Sequence, residues 1–490
     1  EAVPDPLDRG GFIRFFRRYE SEKKAQGLAD FDDILLDCYN LLSTNNDVLE
    51  YWRGRFKFIL VDEFQDINDI QYRCIKLLAA PLNNLFVVGD DDQSIYAFRG
   101  SSPGIMRRFS DDFKGAAQIR LDINYRSTAE IINAAAKVIS ANHDRISKRM
   151  IPAGGPTGSL IGRSDRKTRG KARAGTVREG SVRIMEYSDK KEESEAIAGE
   201  LYERFSKGGD ISDTAVLFRN NADCTVLVRE LEKRCVPYTL TGRVQDIFTH
   251  FIFKDILSYM KIAAQKADKN DYMRIINRPV RYISHNSLNY ISHADPVSSM
   301  KNFYHGNRRM LQTVNDFEQD IKNLEGLSPF AAFKYIVNVI DYKQSLIELS
   351  LESRTAFDTY EDILWQIQEI CRESGSLKEL IERSVSESEP FRRQKGSARA
   401  DDGNADPGVR IMTMHSCKGL EFDTVYIPDV NSNLIPSPRN KGKTGEEEER
   451  RLFYVAMTRA ASQLNISYTL TQRSKSSSPS QFIEGLIPVR

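Results

Sequence analysis

Two short apolar segments, each ending in a cluster of acids, constrain the fold of this chain more than any other feature. Residues 59–66 read ILVDEFQD, and residues 85–93 read LFVVGDDDQ. Residues 70–80 between them have a helix-like pattern, and strands that alternate with helices predict a parallel sheet covered by helices. Because open α/β sheets bind ligands at the carboxyl ends of their strands, both acidic clusters are predicted to line one ligand-binding edge.

The length and patterning predict several units. At 490 residues the chain is too long for one core and suggests about three domain-sized units. Alternating strand and helix patterns, interrupted by a long helical stretch, predict an α/β fold with a helical insertion. The predicted segments are a helical region at 1–57, an α/β region at 58–127, a second α/β region at 128–245 with a basic flexible loop at 152–180, a helical insertion at 246–387, a linker at 388–408, and the completion of the second α/β region at 409–490. In and just before the α/β region at 58–127, three strands are expected, at 56–63, 84–92 and 116–125.

Composition excludes some function classes. The net charge is +1, so any site for a polyanion must be a local patch. The six cysteines show no metal-binding spacing, which predicts reduced thiols in a cytoplasmic protein. No apolar run is long enough to span a membrane.

The first acidic cluster has the residue types that phosphoanhydride hydrolysis requires. Asp62, at a strand end, can hold Mg²⁺ directly or through water, and Glu63 can orient and deprotonate an attacking water. Gln93, at the end of the next strand, can contact a γ-phosphate or the same water. The alternative for an isolated acid pair is a solvated loop after a core strand.

Three further segments fit the same chemistry. In LDINYRST, Tyr125 offers a stacking face for a purine and Arg126 a planar donor fork for phosphate. In HSCKGLEF, Gly419 allows close approach of backbone to a ligand, and Glu421 can accept hydrogen bonds from ribose hydroxyls. Arg459, near the end of the helix EEEERRLFYVAMTRA, can stabilise charge on a transferred phosphoryl group. The alternatives are surface ion pairs for the arginines, core packing for Tyr125, and a solvated face for the EEEERR run.

Taken together, these segments resemble the UvrD/Rep/PcrA group of superfamily-one DNA helicases. The resemblance rests on VDEFQD, GDDDQSIYAFRG, NYRST, AVLFRNNA, TMHSCKGLEF and EEERRLFYVAMTRA. It implies RecA-like parallel-sheet cores, of which the first is incomplete here, with a helical insertion in the second core. Residues 1–57 would be the end of the first core's accessory domain. The cofactors implied are ATP and Mg²⁺.

The resemblance also implies the role of each site residue. Asp62 would hold Mg²⁺, Glu63 activate water, Gln93 sense the γ-phosphate, Tyr125 stack on adenine and Glu421 bind the ribose. Arg126 and Arg459 would be the phosphate-contacting arginines, and the Lys-Gly turn containing Gly419 would approach the nucleotide.

The same resemblance implies contacts with single-stranded DNA and with single/double-strand junctions. Tyr96 and Phe98 match a segment whose aromatic rings stack on bases, worth about 1–3 kcal/mol per base. Phe98 stands where the family usually has tryptophan, which predicts a smaller platform. Arg99 would tie this loop to the catalytic acids. Three more residues are expected to touch the strand or couple it to ATP: Arg219, Asn221 and His415.

Two departures from the family pattern qualify this interpretation. The sequence contains no GxxxxGK[ST] phosphate-binding loop, and its only Gly-Lys-Thr, residues 442–444, has Ser437 where the first glycine is required. We therefore expect an N-terminally truncated ATP-dependent 3′–5′ helicase that is inactive alone. The alternative is a non-catalytic remnant that binds DNA or a partner. In the insertion, residues 282–284 (YIS) replace an expected Gly-x-Gly, so a grip on duplex DNA is not predicted.

Overall fold

The structure is a computed structural model. It describes residues 9–97, 100–153, 181–242, 246–289, 295–353, 357–386, 408–438, 440, 442–472 and 475–487. Most of the predicted basic loop at 152–180, and the predicted linker at 388–408 except Gly408, lie outside these ranges.

Helices and strands alternate over the first third of the chain, after three N-terminal helices. These elements are α1 (Arg9–Ala25), α2 (Phe31–Thr44), α3 (Asn46–Arg55), β1 (Ile59–Val61), α4 (Asp69–Ala79), β2 (Leu85–Val87), α5 (Pro103–Asp112), β3 (Ile123–Asn124), α6 (Ala129–Ile139) and β4 (Ile151–Pro152).

The middle of the chain begins with strands and helices in alternation and continues as helices only. Its elements are β5 (Val182–Tyr187), α7 (Lys190–Ser206), β6 (Thr214–Phe218), α8 (Thr225–Lys233), β7 (Tyr238–Leu240), α9 (Phe251–Ala263), α10 (Lys269–Ile275), α11 (Pro296–Phe303), α12 (Arg308–Leu324), α13 (Pro329–Asn338), α14 (Tyr342–Ser353), α15 (Phe357–Glu373) and α16 (Leu377–Ser386).

Strands return after residue 408, around one long helix. The last elements are β8 (Val409–Thr413), β9 (Phe422–Ile427), α17 (Lys443–Met457), β10 (Ala460–Thr469), β11 (Thr471–Gln472), β12 (Lys475–Ser476) and α18 (Gln481–Glu484).

The chain forms two compact units. The first comprises Glu1–Met185, Cys417–Ile466 and Pro479–Arg490, and the second comprises Glu186–Ser416 and Ser467–Ser478. The segment boundaries predicted above remain predictions.

In the first unit, β1 and β2 pair in parallel, as their alternation with a helix predicts. Val61 is in register with Val87, and both pack against a small core of Phe64, Tyr72 and Ile105. The loops after both strands consequently leave the sheet at the same edge.

The prediction of a strand at 116–125 is mostly wrong. Only β3 forms there, and it pairs in parallel with β4. Ile119 and Leu121 are each 80% exposed. Because a strand requires a hydrogen-bonding partner along its length, apolar alternation alone does not make one here.

The first unit also contains β9 and β10 as far as Ile466, a parallel pair in which Val425 is in register with Leu464. Helix α17 lies between them in sequence and packs against β9 and α6. Its residues Glu447, Glu449, Arg450 and Arg451 are all buried. The EEEERR run is therefore not the solvated helix face that was considered from sequence.

In the second unit, β8 pairs in parallel with β6 on one side and β7 on the other, so that Ile411 is in register with both Val216 and Leu240. Every residue of β6 is buried. Helices α9 to α16 stand in sequence between β7 and β8, and they form a core of their own around side chains such as Ile252, Phe317 and Ile367. This arrangement confirms the predicted α/β fold with a parallel sheet and a helical insertion.

Candidate nucleotide site

The carboxyl ends of β1 and β2 bring the two acidic loops together. The Phe64 backbone N–H donates to the Val88 carbonyl at 2.8 Å, and the Val88 N–H donates to the Val61 carbonyl at 2.9 Å. Asp62 and Glu63, directly after β1, are both exposed. The predicted metal-binding and water-activating carboxylates thus face solvent at a sheet edge, where a ligand can reach them.

Glu63 is held in an unusual conformation. Its φ is 50°, a left-handed geometry that non-glycine residues adopt infrequently and that concentrates at functional sites. Its backbone N–H donates to Asp62 Oδ1 at 2.9 Å. Its carboxylate Oε2 accepts from Gln65 Nε2 at 2.5 Å. The carboxylate is therefore oriented by its neighbours before any ligand binds.

Gln65 connects this glutamate to the second loop, and sequence analysis did not single it out. The side chain is only 1% exposed, and its Oε1 accepts from the Asp90 backbone N–H at 2.9 Å. Asp90 Oδ2 in turn accepts from Gln93 Nε2 at 2.8 Å. Gly89 makes room, because a Cβ there would lie 2.6 Å from Gln65 Oε1. A buried amide thus links Glu63 to the loop of Gln93.

Lys418, next to the predicted Gly419, is the second residue that sequence analysis missed. Its ammonium group donates to Asp66 Oδ2 and, at 2.8 Å, to the Gln93 carbonyl. It also lies 3.5 Å from Glu63 Oε2. Burial raises the pKa of Asp66, and the charge of Lys418 opposes that rise. The charge of Lys418 therefore partly offsets the charges of Asp66 and Glu63. The local signal for this residue was a cation in a loop predicted to approach the nucleotide.

The predicted arginines lie at the other end of the same loop. Arg126 donates to Glu421 Oε1 and, at 3.4 Å, to the Thr458 carbonyl. Its buried Nε has no hydrogen-bond partner. Arg459 is 2% exposed and donates to the carbonyls of Val455 at 3.0 Å and Leu420 at 3.3 Å.

Burial, reinforced by the neighbouring Arg126, lowers the pKa of Arg459. Among the described residues, Arg126 forms an ion pair with Glu421, and Arg459 lies close enough to feel the charges of both. Two neighbouring guanidinium groups make this corner suited to a polyanion.

The acidic and basic groups are close because one short loop contacts both. Lys418 and Glu421 are three residues apart, so their Cα atoms are separated by at most about 11 Å. Gly419 between them has φ +83° and no atom within 4 Å of the position of a Cβ, which leaves its backbone open to a ligand. Tyr125 is 69% exposed and precedes Arg126, so its ring is available for stacking.

The side chains at this site partly fit a bound nucleotide with Mg²⁺. An exposed carboxylate such as that of Asp62 is a suitable magnesium ligand, and magnesium usually completes its shell with water and substrate phosphates. The unpartnered Nε of Arg126 is a donor suited to a phosphate oxygen. Among the described residues, the acid triplet Asp90, Asp91 and Asp92 already has ion-pair partners, so it is not a metal site.

The residues predicted to contact DNA are distributed over the two units. Tyr96, in the first unit, has the Lys418 ammonium 5.2 Å from its ring centroid. Phe98 and Arg99 lie outside the described residues.

In the second unit, Phe218 is in register with Thr413, so Arg219 and His415 follow neighbouring strand ends. Asn221 lies beside Gly242, whose Cβ would be 3.2 Å from Asn221 Oδ1. The three residues therefore gather at one edge of the second unit's sheet.

The Gly-Lys-Thr sequence at 442–444 starts a helix. Gly442 is the N-cap of α17, and Lys443 and Thr444 are in its first turn. Fourteen residues separate it from the end of β9 at Ile427, whereas a phosphate-binding loop joins a strand to a helix directly. Separately, within the described part of the chain no helix has the length and apolarity that crossing a membrane requires.

The sequence matches known families and proteins. Residues 119–471 match the UvrD-like helicase C-terminal domain, and residues 6–114 match the UvrD/REP helicase N-terminal domain. ATP-dependent DNA helicase PcrA of Staphylococcus epidermidis is 32% identical over 498 residues, covering 96% of this chain and 63% of that protein. PcrA of Staphylococcus aureus MRSA252 is 32% identical, covering 95% and 63%. DNA helicase II of Haemophilus influenzae is 31% identical, covering 94% and 62%.

The chain thus spans less than two thirds of the length of these relatives. Because the C-terminal family model covers well over half of the sequence, the chain belongs to the UvrD-like helicase family.

Proposed function

We propose that this chain carries the water-activating and phosphate-sensing side of the ATP site of a UvrD-type 3′–5′ DNA helicase or translocase. One observation carries the proposal: the loop from Lys418 to Glu421 contacts the Glu63–Gln93 cluster at one end and Arg126 at the other. Positioned acids and donors of this kind are what phosphoanhydride hydrolysis requires of a protein.

In this function each group has one task. Glu63, oriented by Gln65, accepts the proton of the attacking water, and Gln93 orients that water or reports the γ-phosphate. Mg²⁺ held through Asp62 would offset phosphate charge. Arg126 and Arg459 stabilise charge on the transferred phosphoryl group, for which Arg459 must exchange its bonds to backbone carbonyls for bonds to phosphate oxygens.

The remaining assignments belong to the same proposal. Glu421 would bind the ribose and Tyr125 would stack on adenine, with Gly419 providing close backbone approach. Single-stranded DNA would contact Tyr96, Phe98 and Arg99 in one unit. In the other unit it would contact Arg219, Asn221 and His415. The substrates would be single strands and strand junctions, in repair or replication, in the cytoplasm.

The sequence contains no GxxxxGK[ST] loop to cradle the β- and γ-phosphates. We therefore propose that the chain by itself hydrolyses ATP only at background rate, with or without DNA. Robust turnover that Glu63→Gln abolishes would contradict this argument. The second candidate is a non-catalytic protein that binds DNA or a partner.

A chimera separates the two candidates. This chain would replace the matching stretch of Staphylococcus epidermidis PcrA, so that the rest of that protein supplies what the chain lacks. We expect DNA-stimulated ATP hydrolysis and unwinding of a 3′-tailed duplex, with a loss of at least about a hundredfold in kcat for Glu63→Gln. Glu22→Gln, an exposed carboxylate on α1, is the matched control and should change nothing.

The outcomes are distinct. A folded chimera that binds single-stranded DNA but does not hydrolyse ATP would support the non-catalytic candidate. A chimera whose hydrolysis survives Glu63→Gln would refute the role assigned to that residue.

A further inference from the structure

Residues 142–148, which we call the strap, follow α6 and contact both helix α17 and the acidic loop after β2. The first half of the strap is bonded to α17. Asn142 Nδ2 donates to the Glu447 carbonyl at 2.9 Å, and the His143 backbone N–H donates to the Glu447 carboxylate at 3.0 Å. Arg450 donates to Asn142 Oδ1 at 2.6 Å. Helix α17 ends at Met457, just before Arg459.

The second half of the strap is bonded to the acidic loop after β2. Arg145 makes a two-pronged contact with Asp92, with Nε at 2.9 Å and a terminal nitrogen at 2.6 Å from the two carboxylate oxygens. The Ile146 backbone N–H donates to Asp91 Oδ2 at 2.6 Å. Asp91 and Asp92 are 1% and 0% exposed. Carboxylates buried to this degree require cationic or N–H partners, and the strap supplies them.

Lys148 completes the connection to the catalytic residues. Its ammonium group contacts Asp90 and Asp91 and lies 3.1 Å from Asp92 Oδ2. Asp90 is the residue whose other contacts lead to the site: its carboxylate accepts from Gln93, and its backbone N–H donates to Gln65. Lys148 is therefore connected to Gln93 through a single residue, Asp90.

We propose that the strap couples α17 to the Gln93 loop, and that Arg145 and Lys148 are positioning residues for Gln93. This rests on the proposed function only for its consequence in ATP hydrolysis; the coupling itself is a property of the fold. Displacement of α17, which leads to Arg459, would shift the strap and with it the acids that hold Gln93. Helix α17 also packs directly against Asp91–Gln93. The variants below are therefore chosen to change the contacts of the strap and not this direct packing.

The test is hydrogen exchange on the full chain, which needs neither ATP nor DNA. Lys148→Gln removes the ammonium group, and Arg149→Gln, one residue further on, removes an exposed cation as the matched control. We expect amide exchange in residues 89–94 to become about tenfold or more faster in Lys148→Gln, because charged hydrogen bonds to buried acids are lost. Arg149→Gln should leave it unchanged, and Lys148→Arg should restore most of the protection.

A second pair of variants tests the coupling from α17, at the other end of the strap. Glu447→Gln weakens the bonds of α17 to the strap, whereas Glu449→Gln changes a carboxylate on the same helix that bonds Ser437 and Asn440 instead. Faster exchange at 89–94 in Glu447→Gln but not in Glu449→Gln is the result expected. Exchange that rises only within 142–148, or equally in both glutamate variants, would overturn the proposal.

The kinetic consequence is measured separately in the PcrA chimera. Lys148→Gln is expected to lower kcat about tenfold while KM for ATP changes little, because Gln93 acts on the attacking water rather than on overall binding. If the chimera has no ATPase activity with the strap intact, the proposed function fails and the exchange result still decides the coupling. If exchange couples but kcat is unchanged, the role of Arg145 and Lys148 as positioning residues is refuted.

Discussion

Replacement of Lys418 by methionine is the perturbation whose effect the structure defines best. Its side chain is 8% exposed and that of its partner Asp66 is 18% exposed. Methionine has a similar length and no charge, so it preserves packing while removing the partner of a half-buried carboxylate. Glu63, 3.5 Å away, loses its nearest cation at the same time.

The expected loss of stability follows from the Asp66 carboxylate, which stays in place without its cation. Breaking a buried ion pair by removing one partner costs about 3–5 kcal/mol, because the other charge stays buried without compensation. Asp66 retains some contact with solvent, so we expect the low end, about 3 kcal/mol. Asp66→Asn in the Lys418→Met background removes the stranded charge and should recover most of this loss.

The assay must report the first unit alone. The chain has two tryptophans, Trp52 and Trp365. Trp365→Phe leaves Trp52, in α3 of the first unit, whose ring stacks on Phe56 at 5.4 Å, as the reporter in urea unfolding followed by fluorescence. Arg18→Met, which removes the cation of an exposed pair in α1 of the first unit, is the control and should not shift the transition measurably.

The pH dependence provides an independent check. Burial raises the pKa of Asp66, and Lys418 opposes this, so the pKa rises further in Lys418→Met. An acid whose pKa is higher in the folded state binds more protons there, so stability falls as the pH rises through that window. The loss should therefore be full at neutral pH and shrink towards the unfolded pKa of aspartate. A loss below about 1 kcal/mol at neutral pH, or one independent of pH, would refute the buried pair.

Two other predictions concern packing and capping. Gly89→Ala should destabilise the first unit by about 1–3 kcal/mol, since its Cβ would lie 2.6 Å from Gln65 Oε1. Gly54→Ala, whose Cβ would have nothing within 4 Å, should instead stabilise α3 by about 0.5–1 kcal/mol. The urea midpoints of both variants test these two changes in stability. Burial lowers the pKa of His250 to about 4, so the second unit should lose stability as the pH falls from about 6.5 to 4, because only the unfolded state takes up the proton. His250→Asn keeps an N-cap acceptor for α9 and should flatten this dependence in urea titrations at several pH values; an unchanged slope would contradict the buried neutral imidazole.

Much of the fold followed from local pattern. The apolar runs at 59–61 and 85–87 and the helix between them predicted a parallel pair, and β1 and β2 form it. The helical periodicity after residue 246 predicted the insertion, because a helix face repeats every few residues regardless of what it packs on. Of the strand expected at 116–125, only residues 123–124 form one, since alternation records which residues are apolar and not whether a partner strand lies beside them.

The sequence by itself singled out the groups proposed to carry the chemistry: Asp62, Glu63 and Gln93 at strand ends, and Arg126 and Arg459 in segments that resemble the family. Spacing along the chain is enough to place the first three near one another, because strand ends in a parallel sheet converge on one edge. The assignment of the two arginines depends on residue type and on the resemblance.

Only the tertiary structure decided how those groups are held. Lys418 meets Asp66 across 352 positions of sequence, Gln65 bonds the Asp90 loop, and the charged face of α17 is buried rather than solvated. The physical reason is that the burial of a charge depends on partners brought from distant parts of the chain, and no local pattern records those partners.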